Sequence, residues 1–191
     1  MTDAVFLDRD GVINKLVFYP EFGIIDSPMN LTQYRLVPGA AEAIRNFNRL
    51  GLKVIVVSNQ PGIAKGKMSE KMFEKIRLKM KNLLEKNGAH VDGEYYCLHH
   101  PKARRHEFRV KCDCRKPKPG LILKAAKDLG LDTSKCYMVG DGLTDIKAGT
   151  AVGCKSILIG EMKCDLWNLW RLSQILLPLA CLTRLKLLKK K

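Results

Sequence analysis

The sequence predicts an α/β fold: a doubly wound, mostly parallel sheet with helices on both faces. Three observations carry it. Short, β-branched apolar runs each stop abruptly at a polar or glycine-rich turn, which is the pattern of strands buried on both faces. Longer helical patterns lie between these runs. The helical patterns open on Pro or Ser and close on Gly, the expected punctuation of helix ends.

In chain order, Ala4-Val5-Phe6-Leu7 is the first strand and stops at Asp8-Arg9-Asp10-Gly11. The segment from Asn14 to Leu36 breaks the alternation; with Tyr19-Pro20, Gly23, Asp26-Ser27-Pro28 and Asn30 it reads as a long loop of the functional kind. Pro38 to Leu50 is a helix, Lys53 to Val57 a strand that stops at Ser58-Asn59-Gln60-Pro61-Gly62, and Ser69 to Asn87 a helix. Tyr95-Tyr96 has the look of strand core. Gly120 to Leu129 is a helix, Cys136 to Val139 a strand closed by Gly140-Asp141-Gly142, Leu143 to Ala151 a helix, and Lys155 to Ile159 a strand. The composition then shifts, so that one domain is expected over 1–160 and a basic Trp/Leu-rich tail over 161–191. The tail has three readings: a packed terminal helix, an interfacial amphipathic segment, or a segment not selected for this fold.

The 191 residues carry 46% hydrophobic and 28% charged side chains, which excludes a disordered chain. No apolar run approaches the roughly 18 residues of a spanning helix, and the start of the chain does not read as a signal peptide. A cytoplasmic, monomeric protein without a membrane partner, unless through the tail, is the expectation. Seven cysteines in a reducing compartment disfavour a disulfide framework. The formal charge is +15, which points to anionic partners. Lys65 to Lys81 holds seven basic and two acidic residues, with Met68, Met72, Phe73, Ile76 and Met80 interleaved at helical spacing, so a solvated helix face accounts for it. Lys102 to Lys118 holds eight basic and two acidic residues.

Ligands of open α/β sheets bind outside the carboxyl ends of the strands. Asp8 and Asp10 stand at one such end, and Asp141 with Asp145 at another. Converging carboxylates repel unless a cation neutralises them, and hard oxygen ligands favour Mg²⁺. Ser58 closes the second long strand, and Lys116 precedes a helix in Cys114-Arg115-Lys116-Pro117. Acids, a lysine point charge and a hydroxyl in this order form a phosphoryl-transfer site, in which a carboxylate can serve as nucleophile.

Phe6-Leu7-Asp8-Arg9-Asp10-Gly11-Val12-Ile13-Asn14, with Val57-Ser58-Asn59-Gln60-Pro61-Gly62-Ile63-Ala64-Lys65-Gly66, resembles the haloacid dehalogenase-like phosphatases. Tyr95 to Pro101 and Cys112-Asp113-Cys114-Arg115-Lys116-Pro117 narrow the resemblance to the branch containing D-glycero-D-manno-heptose 1,7-bisphosphate 7-phosphatase and histidinol-phosphatase. It covers roughly residues 3–160 and implies a haloacid dehalogenase-like fold with a zinc-clipped loop and no large cap domain. It implies Asp8 as nucleophile and Mg²⁺ ligand. Asp10 becomes acid then base, its backbone carbonyl on the metal. Asp141 is a further Mg²⁺ ligand with Asp145 supporting it. Ser58 and Lys116 hold the phosphate, while Asn59, Gln60 and Arg115 face the substrate. Cys97, His99, Cys112 and Cys114 form a closed set suited to a structural Zn²⁺ that fixes the loop carrying Arg115 and Lys116.

The substrate class implied is a small phosphorylated sugar, heptose 1,7-bisphosphate at its 7-phosphate. Arg104, Arg105, Arg109 and Arg115 suit a doubly phosphorylated anion. Histidinol phosphate is the runner-up. A nucleic-acid-binding or DNA-end phosphatase module is a remoter reading, disfavoured because Asp8, Asp10 and Asp141 repel phosphate without a metal and stacking aromatics are absent from the basic stripes. Gly142 stands where many heptose phosphatases place Lys.

Overall fold

The computed structural model describes residues 3–159; the expected tail over 161–191, with Cys164 and Cys181, lies outside the described residues. The elements are β1 (Ala4–Leu7), β2 (Val17–Tyr19), β3 (Ile24–Asp26), α1 (Ala40–Arg49), β4 (Lys53–Asn59), α2 (Glu70–Glu85), β5 (Gly93–Cys97), α3 (Gly120–Leu129), β6 (Tyr137–Gly140), α4 (Leu143–Thr150) and β7 (Lys155–Leu158). Five strands form one sheet in the order β5-β4-β1-β6-β7, every neighbour parallel. The chain winds outward from β1 through β4 to β5, then returns to the other side of β1 for β6 and β7. The winding reverses between β1 and β6, and a crevice opens there at the carboxyl ends.

Side chains alternate across the sheet with the strand period of two. Val5, Leu7, Val54, Val56 and Val139 face one way, against Ile44 and Phe47 of α1 and Ile76, Met80 and Leu84 of α2. Ala4, Phe6, Ile55, Val57 and Met138 face the other, against Leu121, Ile122 and Ala125 of α3 and Ala148 of α4. Each fully buried Ile, Leu or Phe contributes about 1.5–3 kcal/mol, so these two layers hold the strand ends in fixed relation. Ser69 caps α2 by accepting from the Met72 N–H at 3.1 Å. The basic stretch from Lys65 to Lys81 is thus largely the outer face of α2, whose buried residues are Phe73, Ile76, Met80 and Leu84.

The segment read as a long loop differs from expectation. β2 and β3 pair antiparallel through Val17–Asp26, Phe18–Ile25 and Tyr19–Ile24. A 3-10 turn over Pro20–Phe22 and Gly23 at φ +60° joins them. Three-residue strands are too short to show alternation, and Pro and Gly masked the rest. An ion pair of Asp26 with Lys67 fastens this hairpin to the segment before α2. Among the described residues, this hairpin is the structured insertion between β1 and α1, and there is no cap domain. No helix of the described residues is long and apolar enough to cross a membrane.

Candidate active site

Two strand ends set out the carboxylates. The Asp8 N–H donates to Val139 O at 3.0 Å, extending the β1–β6 ladder one residue past Leu7. The chain then turns at Gly11, where φ is +82° and a Cβ would fall 1.9 Å from Asp141 Oδ2. Only glycine allows that approach of one strand end to the other. On the other side, β6 delivers Asp141, and α4 starts so that Asp145 Oδ2 accepts from the Gly142 N–H at 3.0 Å. Carboxylate oxygens of Asp8, Asp141 and Asp145 lie within 4.8 Å of one another.

Crowding shows in the proton affinities. Burial, then Asp8 and Asp145, push the Asp141 carboxyl up to about 7. Burial and Asp8 push Asp145 up to about 6, against the pull of Lys116. The Lys116 side chain is 2% exposed and its Nζ sits 3.0 Å from Asp8 Oδ1 and 2.5 Å from Asp145 Oδ1. It also donates to Val57 O at 2.7 Å. Burial works to lower this ammonium's pKa, yet Asp8 and Asp145 hold it above the ordinary lysine value. One lysine against three crowded acids leaves negative charge, and an all-oxygen donor set of this kind fits a hard divalent cation.

The remaining expected residues fall as follows. Asp10 stands apart from the trio. Its Oδ1 accepts from Asn14 Nδ2 at 2.9 Å and Arg9 Nη2 at 3.1 Å, and its Oδ2 from Gln60 Nε2 at 2.5 Å and Arg9 Nη2 at 3.1 Å. A metal role for Asp10 would therefore fall to its backbone carbonyl, the atom the family resemblance assigns. Ser58 is buried at the end of β4, its Oγ accepting from Gln60 Nε2 at 3.1 Å. Asn59 spends both ends of its amide on the Lys116 backbone. Gln60, also buried, is engaged with Arg9, Asp10 and Ser58. Arg115 donates to His99 O at 3.1 Å. Asn59 and Gln60, expected to face substrate, thus hold neighbouring site residues through their side-chain amides.

Of the four arginines thought to meet a second phosphate, Arg105 pairs with Glu70 at 2.9 Å and Glu107 at 2.6 Å, and Arg109 donates to Ala103 O at 2.6 Å. Burial, then Lys65, Arg115 and Lys102, lower the pKa of His100; burial lowers that of Lys65 against the opposing pull of Asp26, with Lys67, Arg115 and Lys102 adding to the fall.

Cys97, His99, Cys112 and Cys114 meet at the end of β5 and in the loop before α3. Sulfur separations are 3.0 Å (Cys97–Cys114), 3.2 Å (Cys112–Cys114) and 3.7 Å (Cys97–Cys112), and His99 Nδ1 lies 3.3 Å from Cys114 Sγ. Tetrahedral ligands at Zn–S bonds of about 2.3 Å sit about 3.8 Å apart, so the set needs only a small expansion to hold that ion. Burial raises the Cys112 thiol, but hydrogen bonds from Cys114 and the Arg115 backbone bring it down to about 7.

Arg9 has no local signature in the sequence, yet its side chain is wholly buried. Asp145, expected in support of Asp141, lies in one group with it and Asp8; the spacing of Gly142 and Asp145, one helical turn, is the signal for this in the sequence.

Residues 17–153 match the family model of haloacid dehalogenase-like hydrolases. The chain is 40% identical over 157 residues to D-glycero-beta-D-manno-heptose-1,7-bisphosphate 7-phosphatase of Escherichia coli (strain K12), covering 81% of this chain and 78% of that one. It is 37% identical over 174 residues to the protein of the same name from Haemophilus ducreyi, covering 85% and 91%. Among solved structures, a HAD-like phosphatase from Mesorhizobium loti superposes with a TM-score of 0.80 at 30% identity, covering 99% of this chain and 88% of that one. The D,D-heptose 1,7-bisphosphate phosphatase from B. bronchiseptica, complexed with magnesium and phosphate, gives a TM-score of 0.76 at 25% identity, covering 95% and 96%. With its sheet order, its carboxylate edge and these relatives in agreement, this chain belongs to the haloacid dehalogenase-like hydrolases and is a phosphatase of that family.

Proposed function

We propose that this phosphatase removes the 7-phosphate of D-glycero-D-manno-heptose 1,7-bisphosphate through an aspartyl-phosphate on Asp8, with Mg²⁺ as cofactor and a structural Zn²⁺ on Cys97, His99, Cys112 and Cys114. The observation that carries this reading is the Lys116 ammonium bridging Asp8 and Asp145, with Asp141 in the same carboxylate group. Relatives at 36–40% identity that bear the heptose phosphatase name support the substrate. The positive charge that Lys65, Arg115 and Lys102 bring to bear on His100 supports a second anionic group on it.

The residues divide the chemistry as follows. Lys116 offsets the charge of Asp8 and of the arriving phosphate, and Ser58 offers its hydroxyl to a phosphate oxygen. An Asp8 carboxylate oxygen bonds to phosphorus while the bond from phosphorus to the sugar oxygen breaks, and Asp10 gives its proton to the departing alkoxide. Asp10, now a carboxylate, takes a proton from water as that water bonds to phosphorus. The bond to Asp8 breaks, inorganic phosphate leaves, and Asp8 is restored. Asp8, Asp141, Asp145 and the Asp10 carbonyl are the groups to hold Mg²⁺, which offsets the charge of the transferring phosphoryl oxygens when bound. Residues 1–160 form the catalytic unit of this reading.

The test is phosphate release from heptose 1,7-bisphosphate with Mg²⁺ and with chelator, alongside histidinol phosphate. Fast, Mg²⁺-dependent release from the heptose and little from histidinol phosphate is expected. The reverse ranking overturns the substrate assignment.

A further inference from the structure

Arg9 lies between two carboxylates of opposite fate. Asp8 joins Asp141 and Asp145 at the strand ends, whereas the Arg9 side chain is wholly buried against α2 and β5. One edge of its fork faces a single carboxyl group: Nε donates to Asp10 Oδ1 at 3.3 Å, and Nη2 reaches Oδ1 and Oδ2, both at 3.1 Å, while Nη1 is buried without a hydrogen-bond partner. Nη2 also donates to Gln60 Oε1 at 2.7 Å, and Gln60 returns its own amide to Asp10.

Two rings close the arginine in. Its guanidinium carbon is 5.7 Å from the centre of Phe73 on α2 and 5.9 Å from that of Tyr96 on β5. The rings meet each other edge to face at 5.1 Å and 82°. Tyr96 is fixed in turn: its hydroxyl donates to Glu94 Oε2 at 2.8 Å, and the same oxygen accepts from Arg77 Nε at 3.1 Å. The Arg77 guanidinium also stands 5.3 Å from the Tyr96 ring.

Burying a guanidinium is expensive, and an apolar side chain would fill this space at no such cost. What an apolar residue could not do is fix the plane of the neighbouring carboxyl group. A planar fork with two contacts sets orientation as well as charge. We infer that Arg9, packed against Phe73 and Tyr96, is a positioning residue that fixes the plane of the Asp10 carboxyl for the transfer of a proton to and from the reacting oxygen. This rests on the reading of Asp10 as the acid and base of the reaction.

Leaving-group dependence separates positioning from mere support. Heptose 1,7-bisphosphate expels an alkoxide that must be protonated; p-nitrophenyl phosphate expels a phenolate that need not be. With enzyme in excess, the first-turnover cleavage of each ester reports phosphoryl transfer to Asp8 alone. Arg9→Met should slow heptose cleavage about 100-fold with little change in half-saturation, while p-nitrophenolate release changes less than about 3-fold, because a proton-transfer contribution of that size is at stake only for the alkoxide. Arg9→Lys, which keeps the charge and loses the fork, should recover part of the heptose rate. Phe73→Leu removes one wall and leaves every polar contact of Arg9 in place, so it serves if Arg9→Met does not fold; its loss should be smaller but equally selective.

Equal loss on both esters, or no loss on the heptose, overturns the inference. Asp10→Asn is the control for the reading beneath it. If that variant loses both esters equally, the acid assignment of Asp10 fails; if it is selective and the Arg9 and Phe73 variants are not, only the role of Arg9 fails.

Discussion

Asn59 grips the backbone of Lys116 from both sides: its Nδ2 donates to Lys116 O at 3.0 Å, and its Oδ1 accepts from the Lys116 N–H at 3.0 Å. The end of β4 thereby sets the height at which the lysine enters the carboxylate group. Asn59→Ala leaves both backbone groups without these partners, which costs about 1–3 kcal/mol of stability. Displacing Lys116 should also lower kcat by about 100-fold. Urea midpoints and steady-state rates of the variant check both; a wild-type kcat would remove the clamp from the account.

Lys116 itself offsets two acids from a buried position. Lys116→Met leaves Asp8 and Asp145 facing each other without their cation, and breaking a buried pair from one side costs about 3–5 kcal/mol. Loss of turnover with a lowered urea midpoint is expected, and added Mg²⁺ should recover part of the stability but not the activity. A variant as stable as the wild type in chelator would contradict the paired geometry.

Asp141 gives a pH signature. Its carboxyl is raised from 3.8 to about 7 in the folded protein. Between those values the native state holds a proton that the unfolded chain has lost, so this group's contribution to stability is complete below about pH 4 and falls as pH rises toward about 7. Without Mg²⁺, Asp141→Asn should therefore be more stable than the wild type at pH 8, by on the order of 2 kcal/mol, and nearly equal to it at pH 4. The inactive variant should also lose most of the stabilisation that Mg²⁺ gives the wild type at pH 8. Thermal unfolding of both proteins at the two pH values reads this directly.

The thiol set bears on the same lysine. Cys112 and Cys114 immediately precede Arg115 and Lys116, and the loop closes where the Gly120 N–H donates to Asp113 O at 3.0 Å. A Cβ on Gly120 would fall 2.4 Å from that oxygen. Cys112→Ser should bind no zinc, unfold at lower urea and lose turnover through the displaced Lys116. Unchanged zinc content by elemental analysis would refute the ligand set.

Much of this was readable in the residues because the fold writes itself at strand ends. Lys53 to Val57 running into Ser58, and Cys136 to Val139 running into Gly140-Asp141, mark both the buried strand and the point where it meets the crevice. Ser69 and Gly130 announce the ends of α2 and α3 in the same way. The hairpin of β2 and β3 was hidden because three residues around a Pro and a Gly show no period. Arg9 was hidden for a different reason. Between two aspartates it looks like an exposed counter-ion, and the rings that enclose it come from residues 73 and 96, far away in sequence. Asn59 and Gln60 likewise looked like substrate contacts, since nothing local reveals that their amides are taken by Lys116 and by Arg9, Asp10 and Ser58.

The most direct measurement is acid quench of the enzyme during turnover of heptose 1,7-bisphosphate with Mg²⁺, followed by peptide mass analysis. The account predicts one added phosphoryl group on the peptide bearing Asp8, accumulating further in Asp10→Asn supplied with p-nitrophenyl phosphate and absent from Asp8→Asn, which should be inactive yet folded. Phosphate on another residue, or turnover by Asp8→Asn, would contradict it.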